Sequence, residues 1–229
     1  QRWVDGRLDW RSVLDNRSGP LGRSVSMLTF LADTARVGQM DSTAFKTTNL
    51  AIHILCGLLV YIFCLQLLRR AAPARAIAHA AAMFIAAWWL FLPLHVSTVL
   101  YIIQRMAQLG ALFTLASLIA YIAIRQWMNR RPGALLPQLA LWSVFPLIVG
   151  IGALAKENAI LAVPEALLVE LIFFAQRDGT PPPRSVVAFF ITTVALPGAI
   201  AAIWILLHPN TILAGYLARP FTLSERLLT

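Results

Sequence analysis

The feature that most constrains this chain is a succession of apolar runs closed by arginines. The first runs from about Thr48 to Leu68 and stops at Arg69-Arg70. A second covers about Ala76 to Leu94, and a third about Ser97 to Ile124, followed by Arg125, Arg130 and Arg131. A fourth spans about Leu135 to Ala155, a shorter fifth about Ala159 to Phe174, and a sixth about Val186 to Leu207. A hydrocarbon core of ~30 Å takes roughly 20 helical residues to cross, so these runs read as about six membrane helices. Because a bilayer leaves no water for backbone groups, each run must bond its own backbone. The expected fold is therefore all-α, a polytopic membrane helix bundle.

Composition closes off the soluble alternatives. Hydrophobic residues make up 59% of 229 residues and charged residues 13%, with a mean hydropathy of +0.73. A soluble domain of this size carries more polar surface. The net charge of +9 does not point to nucleic acid, because the arginines sit at the ends of apolar segments and form no continuous basic face. Cys56 and Cys64 lie eight residues apart in one run, over about 10 Å on a helix, too far for a disulfide. No His, Cys or carboxylate set has metal-site spacing, and no phosphate-binding loop, dinucleotide fingerprint or nucleophile elbow occurs. No metal and no cofactor is expected.

Three regions follow. Residues 1–42 form a polar loop, with Trp3 and Trp10 suited to an interface and Ser24 to Val37 patterned as an amphipathic helix with Met27, Phe30 and Leu31 on one side. Residues 43–207 form the transmembrane bundle, and residues 208–229, with Arg219, Glu225 and Arg226, an amphipathic tail. One set of loops holds Arg69, Arg70, Arg75, Arg125, Arg130, Arg131, Arg177 and Arg184, which makes it cytoplasmic. The loop 1–42, the His95 turn, Lys156 and the tail are then extracytoplasmic. The chain opens without Met in a polar stretch, so a longer protein with at least one upstream membrane helix is expected.

Ionisable groups within membrane segments are costly and mark interiors or wet cavities. Lys46, Asn49 and His53 fall at i, i+3 and i+7, one helical face. Thr98, Tyr101, Arg105 and Gln108 form a second stripe, with Gln104 beside it. On a helix starting near Ser97, Arg105 lies roughly 12 Å in. Lys156-Glu157-Asn158 joins the fourth and fifth runs, and Glu165 shares a face with Asn158. All of these fall toward the extracytoplasmic side. Convergent cations there suit a phosphate or pyrophosphate, which Arg binds bidentately and Lys as a point charge. A pocket opening into lipid makes a lipid-linked phosphate the natural ligand. The structural alternative is that Arg105 pairs with Glu157 or Glu165 inside the bundle. His79, near the cytoplasmic end of the second run, reads as structural.

Several segments carry a resemblance. Gly19-Pro20-Leu21-Gly22-Arg23-Ser24 through Phe30, Phe45-Lys46-Thr47-Thr48-Asn49 through His53, His95 through Gln104-Arg105, Ala155-Lys156-Glu157-Asn158, and Phe221 through Thr229 resemble, in order, segments of bacterial multi-spanning proteins related to the TPR-containing O-mannosyltransferases. The resemblance implies a GT-C-like fold in the bacterial inner (cytoplasmic) membrane. It further implies a polyprenyl-phosphate-linked sugar as donor, with transfer on the extracytoplasmic face, a membrane lipid environment and a possible protein acceptor. Carried over by position, Arg23, His95, Arg105 and Lys156 are the donor-phosphate candidates. Lys46, Asn49, His53, Tyr101, Gln104, Glu157 and Glu165 form the supporting polar cluster, with Glu157 orienting the cations. The sequence departs from the family pattern at Ser24 and Leu94, where proline is common, and the TPR region is missing. The family's catalytic carboxylates fall before Gln1, so the catalytic base is unassigned and the fragment is expected to lack it. The rival reading is a non-enzymatic membrane scaffold or accessory subunit whose polar cluster glues helices together.

Overall fold

The computed structural model describes residues 21–71, 74–175 and 182–208. Trp3 and Trp10, expected at an interface, the loop charge Arg177 and the tail charges Arg219, Glu225 and Arg226 lie outside the described residues, as does the side chain of Arg70. Among the described residues every regular element is helical. The chain divides into two compact units, residues 1–181 and 182–229.

In the first unit, helix α1 (Ser24–Val37) buries Met27 and Phe30 and half-buries Leu31, the apolar side read from its pattern. It ends where Gly38 takes φ +77 and returns its N–H to Thr34, the left-handed stop that glycine adopts without a Cβ penalty. Helix α2 (Ser42–Ala71) starts one residue after Asp41, whose carboxylate accepts the Thr43 N–H at 2.9 Å. Helix α3 (Arg75–Leu90) packs back along α2. The two approach so closely that a Cβ on Gly57 would sit 2.5 Å from the Leu90 side chain. At the far end of this pair, Tyr61 and Arg69 occupy the two ring nitrogens of His79, at 2.8 and 3.1 Å.

The third run is broken, contrary to expectation. A short helix α4 (His95–Leu100) is followed by extended Tyr101 and a 3-10 turn, Ile102–Gln104, before helix α5 (Arg105–Arg130) begins. Arg105 therefore starts the long helix instead of lying two turns inside one. The freed carbonyls are caught by side chains from elsewhere: Asn49 Nδ2 donates to Val99 O and Tyr101 O at 3.2 and 3.3 Å, and Gln108 Nε2 donates to Thr98 O at 3.2 Å.

Helix α5 packs along helix α6 (Leu135–Ala155), and the turn between them contains Gly133 at φ +80. A Cβ on Gly152 would meet Phe113 and Ala159 at 2.6 and 2.9 Å, so only glycine lets these backbones close. The fifth run is three successive geometries: a 3-10 turn (Glu157–Leu161), helix α7 (Ala162–Val169) and a π-helical turn (Glu170–Ala175). The second unit contains helix α8 (Arg184–Phe190), a π-helical turn (Ile191–Ala195) and helix α9 (Leu196–Leu207).

Among the described residues four stretches are long and apolar enough to cross a membrane: Ser42–Arg69, Ile102–Arg130, Leu135–Ala155 and Arg184–Leu207. The expected second span is only 16 residues as a helix, roughly 24 Å at 1.5 Å per residue. The fifth is divided as just described. Their large exposed apolar side chains, among them Phe84, Trp88, Leu147 and Leu206, are what a lipid-facing surface presents.

Candidate functional site

Two elements meet where the polar residues gather. The chain enters α1 through Arg23, the only non-glycine residue with positive φ (φ 49) among the described residues. That conformation costs on the order of 1 kcal/mol, so neighbouring contacts must hold it. They do. Arg23 Nη2 and Nε donate to the two oxygens of Glu157 at 3.0 and 3.3 Å, and Nη1 reaches Met106 Sδ at 3.6 Å. The pair is part open, with 29% of the Arg23 and 25% of the Glu157 side chain accessible. The Arg23 hydrogen bonds hold the Glu157 carboxyl below its ordinary range. Lys156 precedes Glu157 and is half-buried. It closes the site against α5, where a Cβ on Gly110 would lie 3.2 Å from Lys156 Cβ. It has no ion-pair partner among the described residues. A hydrogen bond from Ser26 Oγ to Ala155 O at 2.9 Å ties α1 to the end of α6 just before this turn.

Arg105 has a different fate. Its side chain is fully enclosed. Nε donates to Asn49 Oδ1 at 2.8 Å, Nη1 to Thr29 O at 3.1 Å and Nη2 to Phe45 O at 2.8 Å. Nη2 also lies 2.7 Å from Asp33 Oδ2. The guanidinium carbon stands 4.5 Å above the Phe30 ring and 5.6 Å from that of Phe45. Its acidic partner is Asp33, neither Glu157 nor Glu165. A group with its donors engaged this way is a strut joining α1, α2 and α5, and as it stands it offers a phosphate nothing.

His95 sits in another neighbourhood. Its ring centroid lies 4.5 Å from Trp89 and 5.3 Å from His53, and His53 stacks on Trp89 at 5.0 Å. His53 Nε2 is 3.1 Å from Leu90 O. A carbonyl only accepts, so that nitrogen carries the proton. Burial, then the neighbouring His53, lowers the His95 pKa. Of the other cluster members, Asn49 belongs to the Arg105 strut. Lys46 and Tyr101 are exposed. Gln104 is half-buried, and so is Glu165, on α7. The structure thus brings together Arg23, Glu157 and Lys156, with Arg105 behind them through Met106, and leaves His95 and His53 in a separate aromatic group.

A second buried ion pair escaped the sequence reading. Glu170 receives Arg125 Nε and Nη2 on its two oxygens, both at 2.7 Å, and the Tyr121 hydroxyl at 2.6 Å. Arg125 also donates to Asn129 at 3.1 Å and lies 4.8 Å over the Phe174 ring. The sequence places Arg125 with the loop charges, whereas in the structure it is 3% exposed. The signal was available: Tyr121 and Arg125 are four apart on one face, and Glu170 stands alone in an apolar run.

No family model, curated protein or solved structure matches the chain. Among the described residues no group of three or more His, Cys, Asp or Glu is placed to hold a metal ion.

Proposed function

We propose that this chain is the membrane domain of a GT-C-like glycosyltransferase of the bacterial inner membrane that uses a polyprenyl-phosphate-linked sugar on the extracytoplasmic face. In the reaction the sugar carbon passes from a phosphate oxygen to an acceptor hydroxyl, whose proton a general base removes. The leaving polyprenyl phosphate keeps the negative charge. Arg23 and Lys156 stabilise that charge as preorganised cations in a partly enclosed site. Glu157 holds the Arg23 fork in place until the phosphate competes for it. Arg105 acts one step back, as a positioning residue that locks α1 onto α5 and so delivers Arg23 to Glu157.

The observation that supports this reading is the Arg23–Glu157–Lys156 group: a guanidinium held in a strained backbone, half open, beside an unpaired ammonium. The engagement of Arg105 and Arg125 by internal partners favours a second reading, a membrane scaffold whose charges only join helices. Reconstituting the full-length protein in proteoliposomes with a radiolabelled polyprenyl-phosphate sugar and an extracytoplasmic acceptor fraction separates them. Arg23→Gln and Lys156→Gln should each cut transfer at least tenfold with the fold intact. Absence of transfer by the wild type, or full transfer by both variants, defeats the proposal.

A further inference from the structure

The helical stretch from Glu157 to Ala175 carries three carboxylates, and they meet three different fates. Glu157 faces Arg23 at the mouth, and Glu170 takes Arg125 and Tyr121 inside the bundle. Glu165 stands between them on α7 and has no hydrogen bond or ion pair with any described residue. Its side chain is half-buried, and its carboxylate oxygens are not enclosed. The buried side of α7 is Ala162, Ala166 and Val169. Glu165 borders the other side, where Leu161, four residues before it, and Leu168 and Ile172, three and seven after, are all exposed.

Depth makes this carboxylate unusual. From Glu157, four steps of 3-10 turn at ~2.0 Å and four of α-helix at ~1.5 Å put Glu165 roughly 14 Å further along the stretch. With Glu157 at the membrane surface, that is about half of a ~30 Å hydrocarbon core. An ionisable group at such a depth is costly alone and is normally met by a partner or a wet cavity. The two cations enclosed in the bundle cannot serve it, because Arg105 and Arg125 each have all three nitrogens engaged elsewhere. Arg23 and Lys156 belong to the mouth. A second copy of the chain across a twofold axis would set Glu165 against Glu165, like charge on like. The missing counter-charge therefore belongs to a different molecule.

We infer that the Leu161–Glu165–Leu168–Ile172 face of α7 docks a partner membrane helix that carries one lysine or arginine within its apolar run. The carboxylate pairs with that cation in the bilayer interior, and the leucines and isoleucine pack along the partner's apolar side chains. Polar contacts of this kind hold helices together where lipid removes the hydrophobic drive to associate. The face is distinct from the Arg23–Lys156 group. It rests on the membrane reading of the helices and not on the transferase reading.

The test uses the purified chain in phosphatidylcholine vesicles and three dansyl-labelled polyleucine helices of about 22 residues, long enough to span. One is leucine throughout, one has a central lysine and one a central glutamate. Energy transfer from the protein's tryptophans to dansyl reads association. The lysine helix should associate at least fivefold more tightly than the other two, the scale of one interhelical polar contact in a membrane. Glu165→Gln should reduce that preference to less than twofold. Thermal unfolding shows whether each variant is folded, and Glu165→Leu, which suits the apolar face, carries the test if Glu165→Gln is not. Equal association of the lysine and leucine helices, or a preference that survives in the folded variant, overturns the inference. So does association of the glutamate helix as tight as that of the lysine helix, which would indicate a carboxyl–carboxyl contact between like helices.

Discussion

Replacing Arg105 with methionine preserves a long unbranched side chain and removes every donor. Asn49 Oδ1, Thr29 O and Phe45 O then lose their partner, and the Asp33 carboxylate loses the cation 2.7 Å away. Asp33 keeps Thr48 Oγ1 at 2.8 Å and a longer contact to the exposed Arg36 at 3.6 Å. Those do not replace an enclosed guanidinium. Breaking one side of a buried pair costs about 3–5 kcal/mol, against a total of roughly 5–15 kcal/mol. For a chain of this size each kcal/mol is worth about 2–4 °C, so Tm should fall by roughly 6–20 °C. With the half-buried Cys64 replaced by alanine in every variant, the protein supplies its own reporter, because Cys56 is 1% exposed and a thiol-reactive dye should label it only on unfolding. Adding Asp33→Asn to Arg105→Met removes the stranded charge and should recover part of the loss, whereas Asp33→Asn alone should destabilise. If Arg105→Met melts within 2 °C of wild type, on the order of 1 kcal/mol or less, the strut reading is wrong.

Two further outcomes follow from the same geometry. Glu170→Gln leaves Arg125 without its bidentate carboxylate and should cost about 3–5 kcal/mol in the same dye assay, while Arg125→Met with Glu170→Met should lose far less; equal losses would show that the pair does not act as a unit. At the mouth, Arg23 depresses the Glu157 pKa below its ordinary 4.5. A depressed carboxylate contributes stability that is complete above its unfolded pKa and is lost as pH falls through the folded one. The Tm difference between wild type and Glu157→Gln should hold from pH 7 to about 5 and then shrink in more acid solution; a difference that changes between pH 6 and 8, or persists unaltered at pH 3, contradicts the ion pair.

Much of the architecture is legible in the residues because hydrophobic length and loop charge act locally. Helix α1 shows in the spacing of Met27, Phe30 and Leu31, and the ends of α2 and α6 in Arg69 and Lys156. What escapes is set by distant partners. The break at Tyr101 carries no proline or glycine, and is held by Asn49, about fifty residues away. The enclosure of Arg105 depends on Asp33, which lies on the same stripe of α1 as Met27 and Phe30. A carboxylate on an apolar face was the clue to a buried cation partner. Glu157 could be read as a partner for some cation, but which one turns on Arg23 arriving from before α1.

The sorting of the cations bears directly on which of them can meet a ligand. Depth in an apolar segment does not make an arginine a binding residue, because enclosing the guanidinium requires that its donors be satisfied first. All three nitrogens of Arg105 and of Arg125 already donate to protein partners, and an anion would have to displace several bonds at once to reach either. Arg23 is bonded to a single carboxylate that is itself part open, and Lys156 is unpaired, so an incoming phosphate exchanges one charge-assisted contact for another at little net cost. Availability of a donor, together with the charge of its surroundings, decides what each polar group can receive. On that criterion the proposed phosphate belongs with Arg23 and Lys156, not with Arg105 or Arg125.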